Sequence, residues 1–213
     1  MSGRSARAAP TCRSDSARAR QHLRGVARSS DIQRTCRVAG TIAVMDRDAL
    51  RAAQAPLKEL YKSDPAAAWT PLTARGDYRD GPVTCTVSTF VGPVRAGLHT
   101  ATGGSGEDAC SGDMLLQALV ACAGVTLRSV GTAMGLDLGA VEIAADSHFD
   151  ARGTLGLDRN VDVGVAPVTL TATVETEFDD VTLARLATAT ERYCVVGQSL
   201  KHPPTIVVRH RQE

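Results

Sequence analysis

The sequence predicts an α+β domain, and three observations carry that expectation. Apolar residues make up 43% of the 213 positions, enough for a folded core of ordinary size. Aromatics make up only 3%, so Ala, Val and Leu must fill that core and the elements must approach closely. The hydrophobic period changes along the chain in the order helix, strands, helix, strands, helix, strand. That order fits segregated α and β elements better than a doubly wound parallel sheet.

The first helix is expected over Asp46 to Tyr61, in "MDRDALRAAQAPLKELY". Leu50, Ala53, Leu57 and Leu60 share one helical face, and Asp64-Pro65 stops the run. Two strands follow, Val83 to Phe90 and Val94 to His99, joined at Gly92-Pro93; Val83, Cys85, Val87 and Thr89 alternate with Thr84, Thr86, Ser88 and Phe90. A glycine-rich loop, Gly103-Gly104-Ser105-Gly106, leads into a polar run. It lacks the Lys-Ser/Thr of a phosphate-binding loop.

The longest helix is expected from Asp113 to about Leu136. It is apolar nearly all round in its first half, as a buried central helix would be, with Ser111 or Asp113 as N-cap and Gly135 as terminator. Val141 to Phe149 and Val168 to Phe178 read as strands flanking a loop of residues 152–164. A last helix starts near Asp179 or Asp180, with Leu183 and Leu186 inward, and ends at Cys194 to Gly197; Pro203 to Arg209 closes as a strand.

Residues 1–44 differ in kind. Nine arginines (4, 7, 13, 18, 20, 24, 28, 34 and 37) face only Asp15 and Asp31, and no apolar period is sustained. Such a segment is expected to be disordered. It reads as a basic tail, as a transit peptide or as upstream sequence ahead of a start at Met45, the last being preferred. The domain is then residues 45–213.

Composition excludes several classes. A net charge of +1 argues against a nucleic-acid binder. No run of 18 apolar residues and no signal peptide is visible, so a cytoplasmic location without membrane contact is expected. The six cysteines (12, 36, 85, 110, 122 and 194) form no C-x-x-C pair and no zinc spacing, so no metal or other cofactor is expected and single thiols remain as candidates. Cys85 reads as a core residue and Cys110 as an accessible thiol near the helix start. No H-E-x-x-H or G-x-S-x-G motif occurs.

Taken alone, Cys122 and Cys194 read as small packing residues. Their surroundings say more. "SGDMLLQALVACAGVTLRSVGTAMGL" resembles the central-helix signature of the OsmC-like family, and "TERYCVVGQSLKHPPTIVV" resembles its second-cysteine motif, 72 positions on. The resemblance implies an antiparallel sheet around a buried central helix, in an intertwined homodimer. It implies reduction of small organic hydroperoxides by Cys122, with Cys194 closing a disulfide that an external thiol reductant opens. It also implies a cation to activate the attacking thiol, from an early Arg-(Asp/Asn)-Gly turn, and a carboxylate to hold that cation. Arg79-Asp80-Gly81 matches the first, with Arg75, Arg95 and Arg128 as competitors, and Asp113 the second. Gly112 stands where Ohr-type members have Glu, and Val195 where the family commonly has Pro. The competing expectation is a non-enzymatic member that binds an apolar small molecule at its dimer interface.

Overall fold

A computed structural model describes residues 45–79 and 81–212. The basic segment 1–44, with Cys12 and Cys36, therefore lies outside the described residues, as does Asp80 of the arginine turn. Helix α1 spans Arg47–Ser63, one residue in from its cap: the Asp46 carboxylate accepts from the Ala49 N–H at 2.8 Å. Asp64-Pro65 ends it as expected, and Asp64 caps the following 3-10 turn. The apolar face is present but open. None of α1 is buried, and Leu57 and Leu60 are nearly half exposed.

Two sheets follow, and neither is purely antiparallel. Strands β1 (Gly76–Asp77), β2 (Thr84–Thr89) and β3 (Gly92–Gly97) pair antiparallel, and β4 (Ala109–Cys110) joins β3 in parallel. Strands β5 (Val141–Asp146) and β6 (Thr169–Val174) pair antiparallel, and β7 (Thr205–His210) lies parallel to β6. Each parallel pair joins strands linked by a long connection, which a single antiparallel sheet would not need. The β2–β3 turn is Phe90-Val91 rather than Gly92-Pro93. Gly92, at φ +127°, already pairs with Thr89, and Pro93 with Ser88. Cys85 is half-buried; Thr84 and Thr86 occupy the buried side of β2.

The central helix α2 spans Ser111–Met134. Its N-cap is Cys110, which makes no side-chain cap bond, rather than Ser111 or Asp113. The β3–β4 pairing keeps the chain extended through Cys110, so Ser111 and Asp113 fall inside the first turn. Gly135 ends the helix at φ +76° as expected, a left-handed cap that a side chain would strain.

The expected loop 152–164 opens with the helical turn α3 (Ala151–Thr154), capped by Asp150. Arg152 beside Asp150 holds that carboxyl down to about 2. Helix α4 spans Asp180–Tyr193 under an Asp179 cap, and a separate turn, α5 (Val195–Gln198), follows Cys194.

The core is built entirely from the second half of the chain. Leu119, Ala123 and Leu127 of α2 meet Leu170, Ala172 and Val174 of β6, Leu183 and Leu186 of α4, and Ile206 and Val208 of β7. The predicted alternation in β6 and the inward leucines of α4 are all present. In α2 a single stripe, Leu119, Ala123, Leu127 and Gly131, is buried, while Val125 is 73% exposed. By length and composition α2 could cross a membrane, yet its buried stripe faces the core and it packs against α1, α4, α5 and β5.

Candidate active site

The last turn of α4 and the turn after it carry Cys194 onto the flank of α2. Cys194 is fully buried in the core cluster, and Cys122 is half-buried against the same cluster. The backbone around Cys194 is fully accounted for. Its N–H donates to the Thr190 carbonyl at 3.0 Å, which ends α4, and its carbonyl accepts from the Gln198 N–H at 2.9 Å, which starts α5. Its Sγ accepts from the Gly197 N–H at 3.3 Å, so the thiol serves as the N-cap side chain of α5.

Gly197 must be small for this to hold. An added Cβ would sit 3.3 Å from Cys194 Sγ and 3.2 Å from the Pro204 ring, tighter than ordinary packing.

The two thiols are held in opposite directions. Burial pushes Cys122 up, but the Val196 N–H, the Cys194 thiol, the Val195 N–H and the Thr126 hydroxyl oppose it, and the net direction is down. Burial pushes Cys194 up as well; the Gly197 N–H opposes this, and the neighbouring Cys122 adds to it. The direction is therefore down for Cys122 and up for Cys194. A thiolate with a protonated thiol beside it suits attack by the first sulfur and capture of the product by the second.

The other expected site residues lie elsewhere in the single chain. Arg79 Nε donates to Asp77 Oδ1 at 2.6 Å on an exposed turn. Asp113, nine residues before Cys122, is exposed and about 13 Å away along the helix axis. Of the competing arginines, Arg95 pairs with Asp108, and Arg75 and Arg128 are exposed. The groups that oppose burial at the Cys122 thiol are Cys194, Thr126 and the peptide groups of Val195 and Val196.

Sequence reasoning misses those peptide groups because they carry no letter. Thr126 was open to detection, being four residues after Cys122 on the same face; its Oγ1 donates to the Cys122 carbonyl at 2.8 Å.

Two cavities of 360 and 320 Å³ open at the start of α2 and share Cys110, His99, Gly112 and Phe149. Cys110 is thus a third half-buried thiol, as expected for that position, and His99 stacks edge-on against Phe149 at 5.3 Å. The smaller cavity reaches Leu116, about 9 Å along the axis from Cys122. The described residues hold no cluster of three or more metal-ligating side chains.

Comparison with known proteins places this arrangement. A family model described as OsmC-like protein matches residues 104–209, which takes in α2, both thiols and β7 up to Arg209. No curated protein sequence matches the chain. Among solved structures it is similar to an organic hydroperoxide resistance protein OsmC from Legionella pneumophila, at 15% identity and TM-score 0.52, covering 68% of this chain and 100% of that one. It is also similar to an organic hydroperoxide resistance protein from Elizabethkingia anophelis, at 14% identity and TM-score 0.53, covering 68% of this chain and 99% of that one. An OsmC-like protein of unknown function from Vibrio cholerae matches at 10% identity and TM-score 0.53, over 67% and 99% of the two chains. At these identities the likeness is one of fold. Residues 104–209 thus carry an OsmC-like domain, and the α+β fold is shared with these structures.

Proposed function

We propose that the protein is a thiol-dependent peroxidase for small organic hydroperoxides, with an antioxidant role. The observation that carries this is the meeting of the Cys122 and Cys194 side chains in one core cluster, with Cys122 shifted toward the thiolate and Cys194 toward the protonated thiol. The Cys122 thiolate attacks the distal peroxide oxygen, the O–O bond breaks, and the alkoxide leaves to become an alcohol on taking a proton. Cys122 is then a sulfenic acid. Cys194 attacks it, water leaves and a disulfide forms. Two equivalents of an external thiol reduce that disulfide, so one hydroperoxide and two thiols become one alcohol, one water and one external disulfide. The resistance proteins to which the fold is similar support this reading, and a cytoplasmic setting with an external thiol reductant is proposed with it. The test is consumption of an organic hydroperoxide by the full chain with a thiol reductant present. No consumption above that of a protein without the pair would refute it.

The working unit in this reading is a homodimer. The single chain leaves Tyr78, Phe90 and Val91 at least 87% exposed on the first sheet and its turns. Only 22% of the apolar window of α2 is buried. Open apolar faces on this scale mark an interface. Light scattering at micromolar concentration should give twice the chain mass, and Val125→Asp should give the monomer. A wild-type monomer would sink the dimer. Arg79 and Asp113 are exposed in the single chain, so the cation and carboxylate roles implied for them are proposed for the dimer.

Residues 45–213 are proposed to be the whole folded domain, since its first cap is Asp46. A chain starting at Met45 should melt within about a degree of the full chain, surface changes outside a core being near neutral. Calorimetry of the two forms checks this, and a large drop would make residues 1–44 part of the fold.

A further inference from the structure

We propose that the His99 side chain is a pH-sensitive gate on the two cavities at the head of α2. As a neutral ring it stands against Phe149 in the cavity wall. As an imidazolium it must let go of the main chain and leave that wall, which opens the way to the Cys110 thiol. Nothing in this inference uses Cys122, Cys194 or peroxide, so it goes beyond the peroxidase reading and is tested apart from it.

The geometry fixes the ionisation state of the ring. His99 follows β3 in an extended conformation, at φ −64° and ψ 149°. Its Nδ1 accepts from the Ala101 N–H at 3.0 Å. A main-chain N–H can only donate, so Nδ1 carries no proton and the ring proton of the neutral form sits on Nε2. An imidazolium has a proton on both nitrogens and cannot accept. Protonation and the Ala101 bond therefore exclude each other.

That bond also aims the ring. Held through Nδ1, it meets the Phe149 ring edge-on, with centroids 5.3 Å apart and planes at 89°. His99, Phe149 and Cys110 all line both cavities. The turn beneath the ring is held separately. The His99 carbonyl accepts from the Thr102 N–H at 2.8 Å, the Gly104 N–H at 3.1 Å and Thr102 Oγ1 at 2.9 Å. A Cβ on Gly104 would run into the Leu98 carbonyl, so the main chain is packed on itself there. Acid thus frees the ring and leaves its frame in place.

His99 is the only titratable residue of the turn 98–104. Cys110 and Asp113 from the head of α2, and His148 after β5, line the smaller cavity with it. Asp113, His148 and Glu107 are exposed. Asp108 is paired with Arg95, and Asp150 with Arg152 in α3.

The test is NMR of the full chain at about pH 8 and about pH 5, the span over which histidines change charge. In wild type, cross-relaxation between the His99 and Phe149 rings should be present at the higher pH and lost at the lower. The Ala101 amide resonance should move with the His99 ring titration. His99→Asn keeps an acceptor for that N–H and does not titrate, so its Ala101 amide should stay still. Labelling of Cys110 by N-ethylmaleimide, mapped by peptide mass, reads the opening. At about pH 8 wild type should label about fivefold more slowly than His99→Ala, and at about pH 5 the two should label alike. Comparing variants at one pH cancels the thiolate fraction.

Ring contact that survives at about pH 5 would overturn the proposal. So would an Ala101 amide that moves equally in His99→Asn, which would assign the change to another group such as His148. A labelling ratio that does not change with pH would also overturn it. If His99→Ala does not fold, the ring contact and the Ala101 amide decide on wild type and His99→Asn alone.

Discussion

Cys122→Ser is expected to reduce peroxide turnover to the uncatalysed background. The attacking group must be an anion at neutral pH, and a serine hydroxyl is not one. The variant should fold, since serine is close in size to cysteine and Cys122 is only half-buried. Cys194→Ser separates the two steps. Oxidation of Cys122 should still occur, but the sulfenic acid loses its capturing thiol, persists and overoxidises. One equivalent of hydroperoxide should therefore consume two thiols in wild type and leave a Cys122–Cys194 disulfide, which needs the two Cα atoms within roughly 7 Å. In Cys194→Ser it should consume one.

The pH dependence follows from the direction of the Cys122 shift. A lowered pKa leaves more thiolate in neutral and mildly acidic solution, so turnover should persist below the pH at which an ordinary thiol loses reactivity. Mass spectrometry after peroxide treatment decides among the readings. If Cys122 and Cys194 both stay free, or if Cys85 or Cys110 is the residue oxidised, the peroxidase mechanism fails and the ligand-binding alternative leads.

What was readable in the chain is what local pattern controls. The alternation of Leu170, Ala172 and Val174 marks the buried face of β6, and Leu183 and Leu186 mark that of α4, because side-chain period and burial are tied within one element. Asp64-Pro65 and Gly135 end their helices for reasons of backbone chemistry that a single residue carries.

Pairing across long connections was not readable. The parallel contacts β3–β4 and β6–β7 are fixed by packing of what lies between, and they split the expected antiparallel sheet into two mixed ones. The proximity of Cys122 and Cys194 came from the family resemblance; neither residue's own neighbourhood states it. Arg79 came from the same resemblance; in the single chain it pairs with Asp77 two residues away, and its role toward the thiol belongs to the proposed dimer.

Leu119→Ala should be the most damaging of the core substitutions in α2, and its comparison with Val125→Ala tests where the helix is truly buried. Leu119 has no exposed surface in the single chain, and it lies one turn before Cys122 on the stripe that meets the second sheet and α4. Removing its buried atoms should cost about 2–5 kcal/mol, partly as lost transfer energy and partly as a cavity that close-packed neighbours fill poorly. Against a typical domain stability of about 5–15 kcal/mol that is a large fraction. In a domain of this size it should lower the melting temperature by roughly 4–20 °C. Val125 is 73% exposed in the single chain, where its truncation should cost within about 0.5 kcal/mol. If the proposed dimer covers this face, Val125→Ala should instead destabilise by about 1 kcal/mol or more, and by an amount that depends on protein concentration. Melting each variant at two concentrations separates the cases. A Leu119→Ala protein that melts with wild type would mean that this stripe is not the core, and the placement of Cys122 against Cys194 would fall with it.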